Sequence, residues 1–188
     1  MKPILHCIHL EKRTDRLQSF LEQMNQQMIP FRIWDGVTTE KMVVANISLA
    51  HKKIVRYAKE EKLPYIIICE DDIIFTADGA WKYFLQKMPK IFDLYCGVVY
   101  AGEIRNGRIV RGMSGTNTLY AVHENFYDTF LSTNDKRDLD GALGKLAFAH
   151  NYYACIPHVV KQIGDYSDHF KRKMNYRAFE EDKIFFGL

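Results

Sequence analysis

The chain has few of the residues that mark disulfide scaffolds, fibrous repeats or membrane spans. Its four cysteines, Cys7, Cys69, Cys96 and Cys155, stand singly inside apolar runs with no CxxC pair. That argues against disulfides and zinc spacing and predicts buried thiols in a reducing compartment. Only 11 glycines and 5 prolines occur in 188 residues, too few for a low-complexity or collagen-like chain. No stretch approaches the ~18 consecutive apolar residues that a membrane-spanning helix needs. The short apolar run before EKRTDR, preceded by a single lysine, does not read as a secretory leader. A strong excess of one charge is also missing: a net charge of +3 attracts anions mildly but falls short of the basic field of a nucleic-acid-binding protein. What is present is 47% hydrophobic and 26% charged residues, a balance that predicts one folded domain over 1–188. The expected location is cytoplasmic. The polar tail, 171–188, begins with Lys171, Arg172 and Lys173 and is either a solvated surface or a peripheral contact with anionic phosphate or lipid.

Hydrophobic spacing predicts an α/β chain. ILHCIHL (4–10) reads as an opening strand. Leu17, Phe20, Leu21, Met24 and Met28 then form a helical stripe that Pro30 ends. FRIWDG (31–36) reads as a second strand closing on an Asp-Gly turn. A helix capped by Ser48 is expected to run to about Lys62, followed by YIIIC (65–69), whose unbroken apolar character suits a strand covered on both sides. Trp81, Phe84, Leu85 and Met88 mark a further helix. LYCGVVY (94–100) reads as a strand and IRNGRIV (104–110) as a hairpin around Asn-Gly. NTLYAV (117–122) and YYACI (152–156) are further strands, with a helix around Phe126–Leu131 and a short one that Asp140 begins or precedes. Alternating strands and helices predict a mixed, mostly parallel sheet flanked by helices.

The chemical signal is IIICEDDIIF (66–75), in which Glu70, Asp71 and Asp72 interrupt two very apolar runs. Ligands of open α/β sheets bind beyond the carboxyl ends of strands. Three adjacent carboxylates there repel one another unless hydrogen bonds, solvent or a cation compensates them. Mn²⁺ or Mg²⁺ suits such oxygens and can bridge them to phosphates. Because successive side chains diverge, Asp72 with either Asp71 or Glu70 is expected at the metal. A ligand-free acidic turn is the plainer reading.

These residues also carry a resemblance. IHLEKRTDR (8–16), SLAHKKIV (48–55), CEDDIIF (69–75), GTNTLYAV (115–122), DLDGAL (138–143) and IPHVVKQIGDYSD (156–168) occur in the order of the motifs of glycosyltransferase family 25. This group includes bacterial lipooligosaccharide galactosyltransferases and the collagen galactosyltransferase domain, and the chain resembles a short member. His9 stands where the family usually has Asn, and Cys69 where Leu is common. The resemblance implies a GT-A-like nucleotide-sugar-binding fold, a UDP-sugar donor, commonly UDP-galactose, and transfer to a hydroxyl of a glycan such as a lipooligosaccharide or surface polysaccharide. It divides the chain into a donor-binding half, 1–100, and an acceptor and catalytic half, 101–170.

Each candidate residue has a functional and a structural reading. Asp140 is the preferred catalytic base for an inverting transfer, with Asp138 beside it; either could instead be a helix N-cap. Leu10, Arg13 and Arg16 are expected at the phosphate or uridine, although EKRTDR is also an ordinary helix start. Asp35 could accept from ribose or base, and Trp34 could stack on the base or belong to the core. His51 is assigned to the donor side by resemblance and could equally be a packing residue. Gly115, Thr116 and Asn117 could face a sugar or form a turn. Gln162, Ser167 and Asp168 match the closing motif and could order donor or acceptor hydroxyls. His158 and His169 lack a zinc spacing. Rival functions are a retaining transferase of the same shape, a metal-dependent nucleotidyltransferase, and a silent nucleotide- or carbohydrate-binding protein.

Overall fold

The structure, a computed structural model, describes residues 3–114, 116–164, 166–167 and 172–173. Strand β1 (Leu5–His9) leads through a tight turn into helix α1 (Thr14–Gln26), and β2 (Phe31–Asp35) returns beside β1. Helix α2 (Val43–Glu60) follows, then β3 (Tyr65–Glu70), the short β4 (Ile73–Phe75) and helix α3 (Ala80–Lys87). Strand β5 (Leu94–Cys96) precedes a hairpin of β6 (Ala101–Arg105) and β7 (Arg108–Ser114). A 3₁₀ turn at Thr116–Thr118 opens β8 (Leu119–His123), followed by helices α4 (Tyr127–Leu131) and α5 (Leu139–Gly144). The remaining strands are β9 (Tyr152–Ala154), β10 (Val160–Gln162), β11 (Tyr166–Ser167) and β12 (Arg172–Lys173).

Eight strands form one sheet in the order β2-β1-β3-β8-β5-β9-β7-β6. The β2-β1, β1-β3 and β5-β9 pairs are parallel and the others antiparallel, so only β8 and β7 run against the common direction. The carboxyl ends of β1, β2, β3 and β5 therefore share one edge with the 3₁₀ turn that starts β8.

Strand periodicity assigns the two cores. Ile66 and Ile68 of β3 point into a cluster with Ile54, Val55, Phe130 and Leu143, while Ile67 and Cys69 point into the opposite cluster with Phe20, Met24, Trp81 and Phe84. Helices α2, α4 and α5 cover one face and α1 and α3 the other. This explains the unbroken apolar run of β3, since a strand between two helical layers has no wet side. All four cysteines are free and buried.

Helices α1 and α2 end alike. Met28 and Lys62 both take φ of 53°, and the amides of Met28 and Ile29 return to Asn25 and Met24, as those of Lys62 and Leu63 return to Lys59 and Ala58. The left-handed residue turns the chain and satisfies the last carbonyls. At the hairpin, Asn106 and Gly107 have φ of 50° and 77°, the pair of left-handed residues that a two-residue hairpin turn requires. Among the described residues no helix is long and apolar enough to cross a membrane.

Two expectations about α2 and β5 are corrected. Ser48 does not cap α2, which begins five residues earlier at Val43; its buried hydroxyl instead donates to Asp135 Oδ1 at 2.7 Å. The polar residue was a tertiary anchor, not a helix start. Strand β5 is also shorter than 94–100: it ends at Cys96, one residue before Gly97, whose amide still donates to the Leu119 carbonyl of β8 while its carbonyl accepts from the Val159 amide.

Candidate active site

The acid triplet lies at the carboxyl edge of the sheet. Glu70 ends β3, and Asp71 and Asp72 form the turn into β4, which pairs with β10 in a separate small sheet. The two apolar runs therefore belong to different sheets, and the acids occupy the joint. The Asp72 carbonyl is tied to the closing segment by the Ile163 amide at 2.8 Å.

Asp71 and Asp72 are both buried. Asp71 Oδ2 lies 2.7 Å from His9 Nδ1, and its Oδ1 accepts from Arg16 Nη1 at 3.3 Å. The same Arg16 nitrogen sits 3.1 Å from Asp72 Oδ2. Asp72 Oδ1 is buried with no hydrogen-bond partner. Burial, then the neighbouring Glu70 charge, lifts the Asp72 carboxyl from 3.8 to about 7, against the pull of Arg16. Burial also raises Asp71, opposed by its bond to His9 and the Arg16 charge.

A buried carboxylate oxygen without a partner fits a hard divalent cation. Among the described residues no three His, Cys, Asp or Glu side chains meet as a complete cage. A cation that takes one or two carboxylates and fills its remaining positions with water and phosphate needs none.

Glu70 faces the other way. Its Oε1 lies 3.3 Å from His51 Nε2, and His51 Nδ1 lies 2.7 Å from the Tyr120 hydroxyl. Asp140 is buried in the first turn of α5, while Asp138 is the N-cap, its Oδ2 accepting from the Gly141 amide at 2.8 Å. Burial raises the Tyr120 phenol well above its ordinary value, and the Glu70 and Asp140 charges push it further. The charges of Glu70 and Asp140 thus act on the same phenol from different elements.

The other predicted residues divide between the edge and local contacts. Arg13 is gripped by Asp15 through Nε–Oδ1 and Nη2–Oδ2 contacts of 3.0 and 2.8 Å, and this pairing holds the Asp15 carboxyl well below its ordinary value. Leu10 packs on Gly36, where a Cβ would come within 2.6 Å of Leu10 Cδ2, so a larger residue there would push the Leu10 side chain aside. Exposed Asp35 lies opposite His9 in the register. Trp34 joins a cluster in which its Nε1 donates to His6 at 2.9 Å and the Arg32 guanidinium lies 4.2 Å from its ring centroid; among its two readings, packing accounts for these contacts. Asn117 is buried in the 3₁₀ turn, its Oδ1 lacking a hydrogen-bond partner, and Thr116 opens that turn. Gln162 pairs with Ile73 beside the acid turn, and Ser167 belongs to β11. His158 is buried. Gly115, Asp168, His169 and most of the tail 171–188 lie outside the described residues.

The partnership of His9 and Asp71 was not foreseen, nor was that of His51 with Tyr120. Their sequence separations of 62 and 69 residues leave no local signal; only the position of His9 at a strand end hinted at it. Elsewhere, an open hollow of about 510 Å³ is lined by Lys87, Tyr95, Gly107, Tyr153 and Cys155. It contains none of the predicted site residues.

No protein-family profile matches the sequence, and no curated protein sequence matches it. Solved structures do. The chain is similar to Drosophila beta-1,4-galactosyltransferase 7, a mutant of which was solved with manganese, UDP-Gal and xylobiose: TM-score 0.56, 11% identity, 93% of this chain and 76% of that one. It is similar to A197 from STIV, with TM-score 0.53, 14% identity and 93% and 95% coverage. It is also similar to the inositol-1-phosphate CTP transferase of T. maritima, with TM-score 0.51, 10% identity and 94% and 93% coverage. The chain thus has a GT-A-like α/β fold, the architecture it shares with a glycosyltransferase and a nucleotidyltransferase.

Proposed function

We propose that the chain is a glycosyltransferase, a short member of family 25, that moves a hexose from a UDP-sugar to a glycan hydroxyl. Galactose from UDP-galactose is the preferred donor, and a lipooligosaccharide or surface polysaccharide the preferred acceptor. The observation that carries this reading is the buried Asp72 carboxylate at the carboxyl edge of β3, with one oxygen lacking a hydrogen-bond partner and Arg16 beside the other. Its support is the combination of that site with the motif order and the GT-A-like fold.

Asp72, with Asp71 next to it, would hold Mn²⁺ or Mg²⁺, which when bound offsets charge on the departing diphosphate. Arg16 adds fixed positive charge at the same place and bridges the two acids through one guanidinium nitrogen, offsetting their mutual repulsion. Residues 1–100 bind the donor, and 101–170 present the acceptor. In the inverting mechanism Asp140 takes the acceptor proton, from the first turn of a helix whose cap is already supplied by Asp138. That division of labour frees Asp140 from the capping role, which favours it over Asp138 as the base.

A nucleotidyltransferase is the second reading, favoured by the likeness to the CTP transferase. Incubation with a panel of nucleotide sugars, Mn²⁺ and mixed glycan acceptors separates the two. Release of UDP supports glycosyl transfer, pyrophosphate from a nucleoside triphosphate and a sugar phosphate supports the second reading, and absence of turnover rejects both. The product anomer, read by NMR, distinguishes inversion from retention.

A further inference from the structure

Burying a lysine is costly unless its charge is met, and α2 buries one. Lys52 is 3% exposed and lies one helical turn from Ser48, which is fully buried. Both side chains reach the segment that joins α4 to α5. Lys52 Nζ lies 2.6 Å from Asp135 Oδ1 and also donates to the Thr133 carbonyl, and the Ser48 hydroxyl donates to the same Oδ1 at 2.7 Å. Burial disfavours the charge on Asp135, yet the bonds from Lys52 and Ser48, with the Lys52 and Arg56 charges, leave its carboxyl below its ordinary value. Lys59, farther along α2, differs: its ion pair with Asp128 is exposed on both sides and contributes little.

The clamped segment leads directly into α5. Asp135 stands three residues before the N-cap Asp138, so at most about 10 Å of chain separates the clamp from the helix start. Helix α5 has six residues, too few to hold together in water alone. Its buried Leu139 and Leu143 join the cluster that contains Ile54 and Val55 of α2, which fixes the face it turns to the core. Apolar contact is not directional, so it does not by itself fix where along that face the helix begins. The hydrogen bonds do. Asp135 and Thr133 are tied to α2, and Asp138 then accepts from the Gly141 amide on its side chain and from the Ala142 amide on its carbonyl. Asp140 lies in that same first turn.

We propose that Ser48 and Lys52 are positioning residues for the transfer: by holding Asp135 and the Thr133 carbonyl they fix the start of α5 and so set where the Asp140 carboxylate stands. The inference rests on the reading of Asp140 as the base and deepens it. Two residues of α2 that touch neither substrate thereby tune the proton-transfer step, while the donor end of the site, built from β1, α1 and β3, is left alone.

The test compares the wild type, Ser48→Ala and Lys52→Met, each with and without Asp140→Asn. It reads acceptor-dependent kcat, the Kd for UDP with Mn²⁺, and hydrogen exchange at individual amides. Lys52→Met is expected to lower kcat about 10- to 100-fold, the scale of a misplaced catalytic group, with the Kd for UDP within about twofold of the wild type. Ser48→Ala, which leaves the Lys52 contacts in place, should act in the same direction by a smaller factor. Once the base is removed its placement no longer matters, so Lys52→Met should change the residual rate of Asp140→Asn by less than about twofold. Exchange at the Gly141 and Ala142 amides should quicken at least about fivefold in Lys52→Met, with the amides of Ile66–Ile68 unchanged. Unchanged kcat in Lys52→Met, unchanged exchange at Gly141 and Ala142, or losses that multiply with that of Asp140→Asn would each overturn the proposal, the last because it marks a general structural defect. If Asp140→Asn turns over near the wild-type rate, or the wild type releases no UDP, the proposed function fails first, and the exchange at Gly141 and Ala142 separately accepts or rejects the placement of α5 by Ser48 and Lys52.

Discussion

Asp72 is held between opposing demands. Burial and Glu70 disfavour its charge while Arg16 favours it, and the outcome is a carboxyl lifted from 3.8 to about 7. Because the folded-state value is raised, the unfolded chain ionises first. Stability is undiminished below the ordinary carboxyl value, declines as pH rises toward about 7, and stays at the reduced level above it. Asp72→Asn removes that cost, and Arg16 keeps Asp71 as a partner. The variant should therefore melt at least about 3 °C above the wild type at pH 8, and the gain should shrink to nothing near pH 4. A melting series by calorimetry without added cation checks it, and a lower melting temperature at pH 8 would refute the desolvation argument. Asp140 makes a different prediction. Asp140→Asn should reduce kcat about 10²–10⁴-fold with the Kd for UDP essentially unchanged, as measured by acceptor-dependent UDP release and calorimetric titration. A parallel loss of UDP binding would move Asp140 from the base to the donor site.

Elements show where sequence reasoning reached and where it stopped. The stripe of Phe20 and Met24, the continuous run of β3 and the Asn-Gly hairpin were each legible, because their information lies within a few residues. The joint at Asp71 and Asp72 was legible as a strand end. It was not legible that β4 leaves for a second sheet with β10, about 85 residues away in the chain. Ser48 looked like a cap because its partner, Asp135, is 87 residues distant. The end of α1 supplies a prediction at this scale. Met28 is 87% exposed and sits at φ 53°, so its side chain gains little from burial while its backbone pays for the left-handed conformation. Met28→Gly should stabilise the protein by about 1 kcal/mol, read as an increase in the urea midpoint at unchanged m-value. A decrease would mean that Met28 makes a contact worth more than the strain.

Across the whole molecule, the eight-stranded sheet brings the ends of β1 and β3 and the start of β8 to one edge, though they lie up to about 110 residues apart in the chain. His9 and Arg16 come from the first turn of the fold, the acids from its centre, Asn117 and Asp140 from its second half. The motif order made the participants legible, but not their pairings: which acid is clamped by His9, and which carries the oxygen without a partner, depends on tertiary approach. The central claim is that Asp72 holds the cation that binds the nucleotide diphosphate. Titration of UDP into the wild type and into Asp72→Asn, each with and without Mn²⁺, tests it most directly. The account predicts that Mn²⁺ tightens UDP binding to the wild type at least about tenfold, near 1.4 kcal/mol, and that this enhancement disappears in the variant; an equal enhancement in both proteins would contradict it.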